Sequence, residues 1–257
     1  MPCTPHPATA RLPGGGRCAS RLRAALRRAL ARRFAGAARP ASRLLRAALL
    51  VGLGLSLTVQ AWDPERIVQA AVRHGETAVQ GARALRLALA ALAGQDDLVQ
   101  IAGVNEFFNR RLLFREDADN WGQADYWASP LESLQRGMAD CEDYAIAKYF
   151  TLTSMGVPHR KLRLVYVRAV MGGPGGAVQA HMVLAYYRSP EAEPYVLDNL
   201  ITELRPAGRR QDLTPVFSFN AEGIWEGVGS VAVAGSATER LSLWRDVLAR
   251  SRQDGFQ

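Results

Sequence analysis

The sequence predicts an α+β fold, a helical half followed by an antiparallel sheet, on three observations. Apolar residues recur at helical spacing from Ile67 to Leu113, the pattern turns to alternation after Gly156-Val157-Pro158, and helical spacing returns from Thr238. Helices segregated from hairpins in this way indicate an α+β architecture rather than alternating βαβ units.

The first helix is expected to open at Asp63-Pro64-Glu65, an N-cap followed by proline at the first helical position. Ile67, Ala70, Ala71, Val79, Leu85, Leu89 and Leu92 keep one apolar face until Gly94, with Gly75 and Gly81 weakening the middle. A second helix is predicted over 98–114, with Val104, Phe107, Phe108, Leu112 and Leu113 as its apolar side. Both read as packing elements.

Residues 116–137 have no clean period, and they read as a long surface loop with a short helical piece over 131–135. Loops of this length in a compact domain are usually functional or mobile. Asp117, Asp119, Asn120, Gly122 and Asp125 superficially match a calcium loop, but Ala128 stands where an EF-hand needs its closing glutamate. A helix is then expected over Tyr144 to Leu152, with Asp140-Cys141-Glu142-Asp143 at its mouth.

After the stop at 156–158, residues 161–168 alternate apolar and polar, 172–176 turn, and 181–187 and 195–198 form short strands. A later strand is expected over 215–219. The terminal run 238–250, with Leu241, Trp244 and Leu248 at helical spacing, is expected to cover one side of the sheet.

The first sixty residues hold eleven Arg and no Asp or Glu. An apolar stretch over 47–57 and a small-x-small ending at Val59-Gln60-Ala61 complete the parts of a secretory signal peptide. Residues 1–61 are therefore expected to be a basic leader and signal peptide cleaved after Ala61, and 62–257 a single exported domain, placed in the periplasm. The apolar run is shorter than the ~20 residues a spanning helix needs, so no stable membrane span is expected. Arg32-Arg33 resembles a twin-arginine signal, but its spacing to Phe34 is off.

Setting the leader aside reverses the charge. The whole chain carries +8, whereas 62–257 has 21 Lys and Arg against all 24 Asp and Glu, a net of about −3. No basic stripe with interleaved aromatics survives, which excludes a nucleic-acid reading. Cys3 and Cys18 go with the leader, leaving Cys141 as the one thiol, with no internal disulfide open to it. The three neighbouring carboxylates argue against its burial.

The chemistry is expected from Cys141, His181 and Asp198. A thiol attacks a carbonyl as thiolate, so it needs a helix N-terminus or an imidazolium to lower its pKa. His181 would pair with the thiol and protonate the leaving amine, and Asp198 would hold the ring in the right tautomer. Each residue also has a plain structural use: Cys141 as core, His181 as a hydrogen-bonded strand residue, Asp198 as a turn former. His74 and His159, on a helix face and in a turn, read as solvated. The Cys141 N–H is the natural first oxyanion donor. Trp121 or Trp127 could help shape the site, Tyr144 reads as packing, and Lys148 as a solvated charge.

Residues 140–152 (DCEDYAIAKYFTL), Gly156-Val157-Pro158, 181–184 (HMVL) and 196–200 (VLDNL) closely resemble the LapG-type bacterial transglutaminase-like cysteine proteases. The resemblance extends to Val104-Asn105, to Phe107-Phe108-Asn109 and to the loop from Trp121 to Trp127. It implies a papain-like or transglutaminase-like scaffold and a periplasmic, calcium-dependent cysteine endopeptidase. Such an enzyme would cleave the N-terminal region of a large surface adhesin and disperse biofilm. The periplasmic domain of an inner-membrane cyclic di-GMP receptor would act as its inhibitor.

Calcium also has a motive in the residues themselves. Asp140, Glu142 and Asp143 put up to three negative charges beside the thiol and would raise its pKa, and a hard dication would cancel that charge. The alternative is that these acids simply favour a helix N-terminus. Two other functions stay open: a transglutaminase or amidase using the same residues on side-chain or cell-wall amides, and a non-catalytic calcium-dependent adaptor.

Overall fold

Asp63 caps the first helix as expected, its carboxylate accepting from the Glu65 N–H at 2.9 Å, and α1 runs over Pro64–Ala71. The computed structural model describes residues 63–229, 232–233 and 236–257, within one compact unit, Ala61–Gln257. The expected leader and signal peptide, residues 1–61, lie outside the described residues.

The helix expected to continue to Gly94 is broken. A 3-10 turn over Val72–His74 ends at Gly75, whose φ of +92° is a left-handed conformation that L side chains rarely adopt, and α2 restarts over Glu76–Leu92. Gly81 has a packing reason rather than being a weak point: a Cβ there would stand 2.9 Å from the Leu134 Cβ. Its absence lets α2 close onto α5 (Pro130–Arg136).

The second helix, α3 (Asp97–Arg111), is capped by Asp96 and ends earlier than expected. Leu113 and Phe114 instead form β1, paired in parallel with β2 (Met138–Ala139), and Leu113 is 72% exposed rather than part of an apolar face. The stretch expected as surface loop contains α4 (Asp117–Asn120) and α5, the latter started by a Ser129–Glu132 capping box. Part of it goes inside. Trp127, Ala128 and Ser129 are buried, Trp127 stacks on Phe219 at 5.7 Å, and Arg250 donates to the Trp127 carbonyl at 2.6 Å.

The central helix, α6 (Cys141–Ser154), is buried continuously from Asp143 to Ser154. It packs on α3 and α5 on one side and on the sheet on the other, which explains its lack of a polar face. Lys148, expected as a solvated charge, is consequently fully buried, with no hydrogen-bond partner for Nζ and the Tyr144 ring 5.4 Å away.

The main sheet comprises β3 (Leu162–Val170), β4 (Val178–Tyr186), β5 (Tyr195–Leu197), β6 (Arg205–Pro206), β7 (Leu213–Phe219), β8 (Ile224–Glu226) and β9 (Ala232–Val233). Their order is β6-β5-β4-β3-β7-β8-β9, antiparallel throughout. Val167 faces His181 across β3 and β4, and Leu184 faces Leu197 across β4 and β5. A bulge between Tyr166 and Val167 leaves Val216 as the extra residue of β7, next to Pro215, a position where proline is tolerated in a sheet.

The larger apolar cluster lies between the helices and the sheet face carrying Leu162, Leu164 and Leu184; a smaller one, with Val165, Val167, Val183 and Val196, covers the other face. The expected C-terminal helix is split at Leu241, which is extended, into α7 (Ala237–Arg240) and α8 (Ser242–Gln253). From α8, buried Trp244 stacks on Phe150 and meets Tyr149 and Phe219 edge-on.

Neither secondary histidine is merely solvated: His74 Nε2 lies 2.8 Å from Asp254, and His159 Nδ1 lies 2.9 Å from the Tyr149 hydroxyl. No helix among the described residues is long and apolar enough to cross a membrane.

Burial pushes the Lys148 ammonium down to about 7, although the Asp198 charge pulls the other way. An unfolded lysine titrates near ~10.4. The penalty for burying the charge is therefore complete below pH 7 and relieved as pH rises toward 10. Lys148→Met is expected to exceed the wild type in stability at pH 6, with the advantage shrinking between pH 7 and 10 in urea unfolding. A pH-independent difference would mean that Lys148 is not held neutral by burial.

Candidate active site

Cys141 occupies the first position of α6 because Asp140 caps the helix, its carboxylate accepting from the Asp143 N–H at 3.4 Å. The thiol is half-buried and lines a cleft of about 370 Å³, whose walls include Asp117, Asp140, Glu142, Tyr166, His181 and Leu200. Cys141 is thus not fully buried, as its carboxylate neighbours predicted, but two of those neighbours are buried. Asp140 is 5% exposed and Asp143 0%, because the helix start is pressed between the preceding loop and the sheet.

His181, in β4, and Asp198, just beyond β5, are brought together by sheet register. Leu184 pairs with Leu197, which sets Asp198 beside the stretch that carries His181, and Nε2 lies 2.8 Å from Asp198 Oδ1. The carboxylate accepts as well from the Leu200 N–H at 3.1 Å and from Arg210 at 2.7 Å. Asn109, on α3, donates to the Asp198 carbonyl at 2.6 Å. Burial alone would raise the Asp198 pKa, but hydrogen bonds from His181 and Leu200 and the charges of His181 and Arg210 outweigh it and hold the group at about 2. Asp198 is therefore an anion fixed behind the imidazole. With Nε2 committed to it, Nδ1 is the ring nitrogen left to exchange a proton with the cleft.

The thiol itself donates to Glu142 Oε2 at 3.0 Å. Its pKa is pushed up, first by burial and then by the Glu142 and Asp140 charges, so in this charge state the helix N-terminus does not suffice to make it a thiolate.

Oxygens of Asp117, Asp140 and Glu142 all lie within 4.8 Å of one another. Asp143, also expected to bind metal, is not in this group; its Oδ1 accepts from the Ala128 N–H at 2.6 Å and its Oδ2 has no partner. Burial is the first cause raising the pKa of all four carboxyls, and mutual repulsion adds to it, carrying Asp140 to about 10. Asp117 Oδ1 is buried without a partner. Hard oxygen donors spaced up to 4.8 Å apart fit one ion bound at ~2.4 Å from each, the Ca²⁺ range.

Residues 76–211 match the family model described as "Bacterial transglutaminase-like cysteine proteinase BTLCP". The chain belongs to that family. Three solved structures of Legionella pneumophila LapG align with it. One is 35% identical with a TM-score of 0.62, covering 74% of this chain and 97% of the other. An EGTA-treated form is 36% identical with a TM-score of 0.64, covering 74% and 97%. A calcium-bound form is 36% identical with a TM-score of 0.63, covering 73% and 98%. A search of curated proteins gave no match. The fold is accordingly that of a transglutaminase-like cysteine protease, and this cysteine proteinase acts on protein substrate.

Three contributors to the proteinase's site were not individually legible. Asp117 belongs to the loop that superficially matches a calcium loop, but nothing in the loop distinguishes it from Asp119 or Asp125. Asn109 falls within a stretch that resembles the family without revealing a role. Arg210 left no signal, because its pairing with Asp198 depends on the path of the chain after β6.

Removing one partner of a buried, hydrogen-bonded ion pair costs about 3–5 kcal/mol. Arg210→Met is expected to destabilise the protein by an amount toward the lower end of that range, since His181 still holds Asp198. The loss should largely vanish when Asp198→Asn is already present. Additive losses in that double-mutant cycle would show that Arg210 does not act through Asp198.

Proposed function

We propose that this protein is an exported, periplasmic, calcium-dependent cysteine endopeptidase that cleaves the N-terminal region of a large surface adhesin, releasing it and dispersing biofilm. The periplasmic domain of an inner-membrane cyclic di-GMP receptor is its inhibitor in this reading, and residues 1–61 its export leader. One observation carries the catalytic part: His181, bonded to buried Asp198, lines the same cleft as a thiol at a helix N-terminus.

In this reading His181 Nδ1 takes the Cys141 proton, and sulfur attacks the peptide carbonyl carbon. The C–N bond breaks as His181 returns the proton to the leaving amine. Water, deprotonated by the same ring, then hydrolyses the thioester and restores the thiol. Asp198 keeps the ring proton on Nε2 and stabilises the imidazolium formed at each stage. The Cys141 N–H is the first donor to the oxyanion.

Asp117, Asp140 and Glu142 would hold calcium, and Asp143 would fasten the helix start to Ala128. Calcium bound there supplies the positive charge that offsets the crowded carboxylates. Glu142, turned toward the ion, would no longer hold the thiol proton, so Cys141 would give it up to His181 more readily. The calcium-bound form of Legionella pneumophila LapG supports calcium as the ion in this reading.

Incubation with an adhesin N-terminal fragment and calcium is expected to yield one new N-terminus by mass spectrometry, and Cys141→Ala none. Cleavage by Cys141→Ala, or fused rather than shortened chains, would sink the endopeptidase reading. EGTA is expected to slow alkylation of Cys141 by iodoacetamide about tenfold or more near pH 7, the effect of about one unit or more in thiol pKa. An unchanged rate would remove calcium from the account of thiol activation.

A further inference from the structure

The strand that carries His181 is paired along its whole length on one side only. β3 pairs with all nine residues of β4, from Val178 to Tyr186, whereas β5 reaches only Leu184, Ala185 and Tyr186. No strand among the described residues lies beside the outer edge of 178–183.

The register shows which peptide groups are left over. Beyond one end of β4 the Tyr187 N–H donates to the Lys161 carbonyl, and beyond the other the Ala177 carbonyl accepts from the Met171 N–H. Odd-numbered residues of this strand therefore exchange hydrogen bonds with β3. Even-numbered ones, Val178, Ala180 and Met182, point their N–H and C=O groups to the open edge. Met182 also lines the cleft that holds Cys141, which sets the thiol by this edge.

Val178, Gln179 and Ala180 are exposed, Val178 at 62%. The edge sequence Val-Gln-Ala-His-Met has no proline and no Lys, Arg, Asp or Glu, the residues with which proteins usually blunt an exposed edge. It borders the cleft, which Gln179, Ala180, His181 and Met182 help to line together with the exposed apolar side chains of Phe114 and Leu200.

We infer that the open edge of β4 at Val178–Met182 is the docking site for the protein substrate, which adds to the sheet as an extended strand beyond the end of β5. This rests on the endopeptidase reading above and gives the substrate its conformation. An extended segment supplies the N–H and C=O groups that Val178 and Ala180 lack, in the manner of β-strand addition. Because the thiol lies by the same edge, a strand in that position brings a backbone carbonyl past Cys141. Recognition through main-chain bonds demands an unfolded segment, and sequence preference falls to the substrate side chains facing Phe114 and Leu200.

The test uses the calcium-loaded protein and ten-residue peptides spanning the bond cleaved in the adhesin N-terminal fragment. Each peptide carries one backbone N-methyl group at a successive position. Methylation removes the donor and crowds the edge, so kcat/KM is expected to fall about tenfold at every second residue on at least one side of the bond, and to change little between. A flat or non-alternating profile overturns strand addition while leaving the protease reading intact. If the unmethylated peptide and the fragment both stay uncut, the two readings fall together. A flat profile combined with concentration-dependent dimerisation in sedimentation would assign the edge to a second copy of the chain.

Discussion

Four carboxylates, those of Asp117, Asp140, Glu142 and Asp143, crowd the first turn of α6, where their burial works against folding and their charge against forming the thiolate. Burial raises the pKa of each, and repulsion from neighbouring carboxylates adds to it. Part of the charge is met by backbone donors: Asp140 takes the Asp143 N–H, Asp143 the Ala128 N–H and Asp117 the Tyr126 N–H. The same bonds fix the loop against the helix start. What they leave unmet, including Asp117 Oδ1, defines an oxygen site of the kind that hard dications take.

Opposite this acidic wall, the sheet supplies a charge arrangement of the reverse kind. Asp198 is as buried as its counterparts at the helix, yet its pKa is lowered rather than raised, because His181, Arg210 and the Leu200 N–H converge on it. Two carboxylate environments thus serve one cleft: Asp117, Asp140 and Glu142 line it and resist ionisation, while Asp198 acts on it through His181 and stays ionised. Separation of this sort is how a single fold assigns different tasks to chemically identical groups.

The surrounding architecture keeps both walls in place. Arg250 of α8 donates to the Trp127 carbonyl and the Tyr126 hydroxyl, and Asp254 accepts from Ser129 and approaches His74. The last helix therefore fastens the loop before the site to the first helices. On the other wall, Asn105 and Asn109, one turn apart on α3, hold the Thr202 carbonyl and the Asp198 carbonyl.

Much of this was legible in the chain itself. Asp63-Pro64 fixed a helix start, Asp140-Cys141 placed a thiol at a helix N-terminus, and the alternation of 161–168 marked a strand, because capping and period-2 burial are local effects. Cys141, His181 and Asp198 stood out by residue type and order. Local pattern could not show that Lys148 is buried, that Leu113 is exposed, that Asp117 joins Asp140 and Glu142, or that Arg210 reaches Asp198. Nor could it show that β5 stops short and leaves the outer edge of β4 over 178–183 without a partner strand among the described residues. Those outcomes depend on which distant segments pack together, and burial and long-range electrostatics arise only once packing has brought them within a few ångströms.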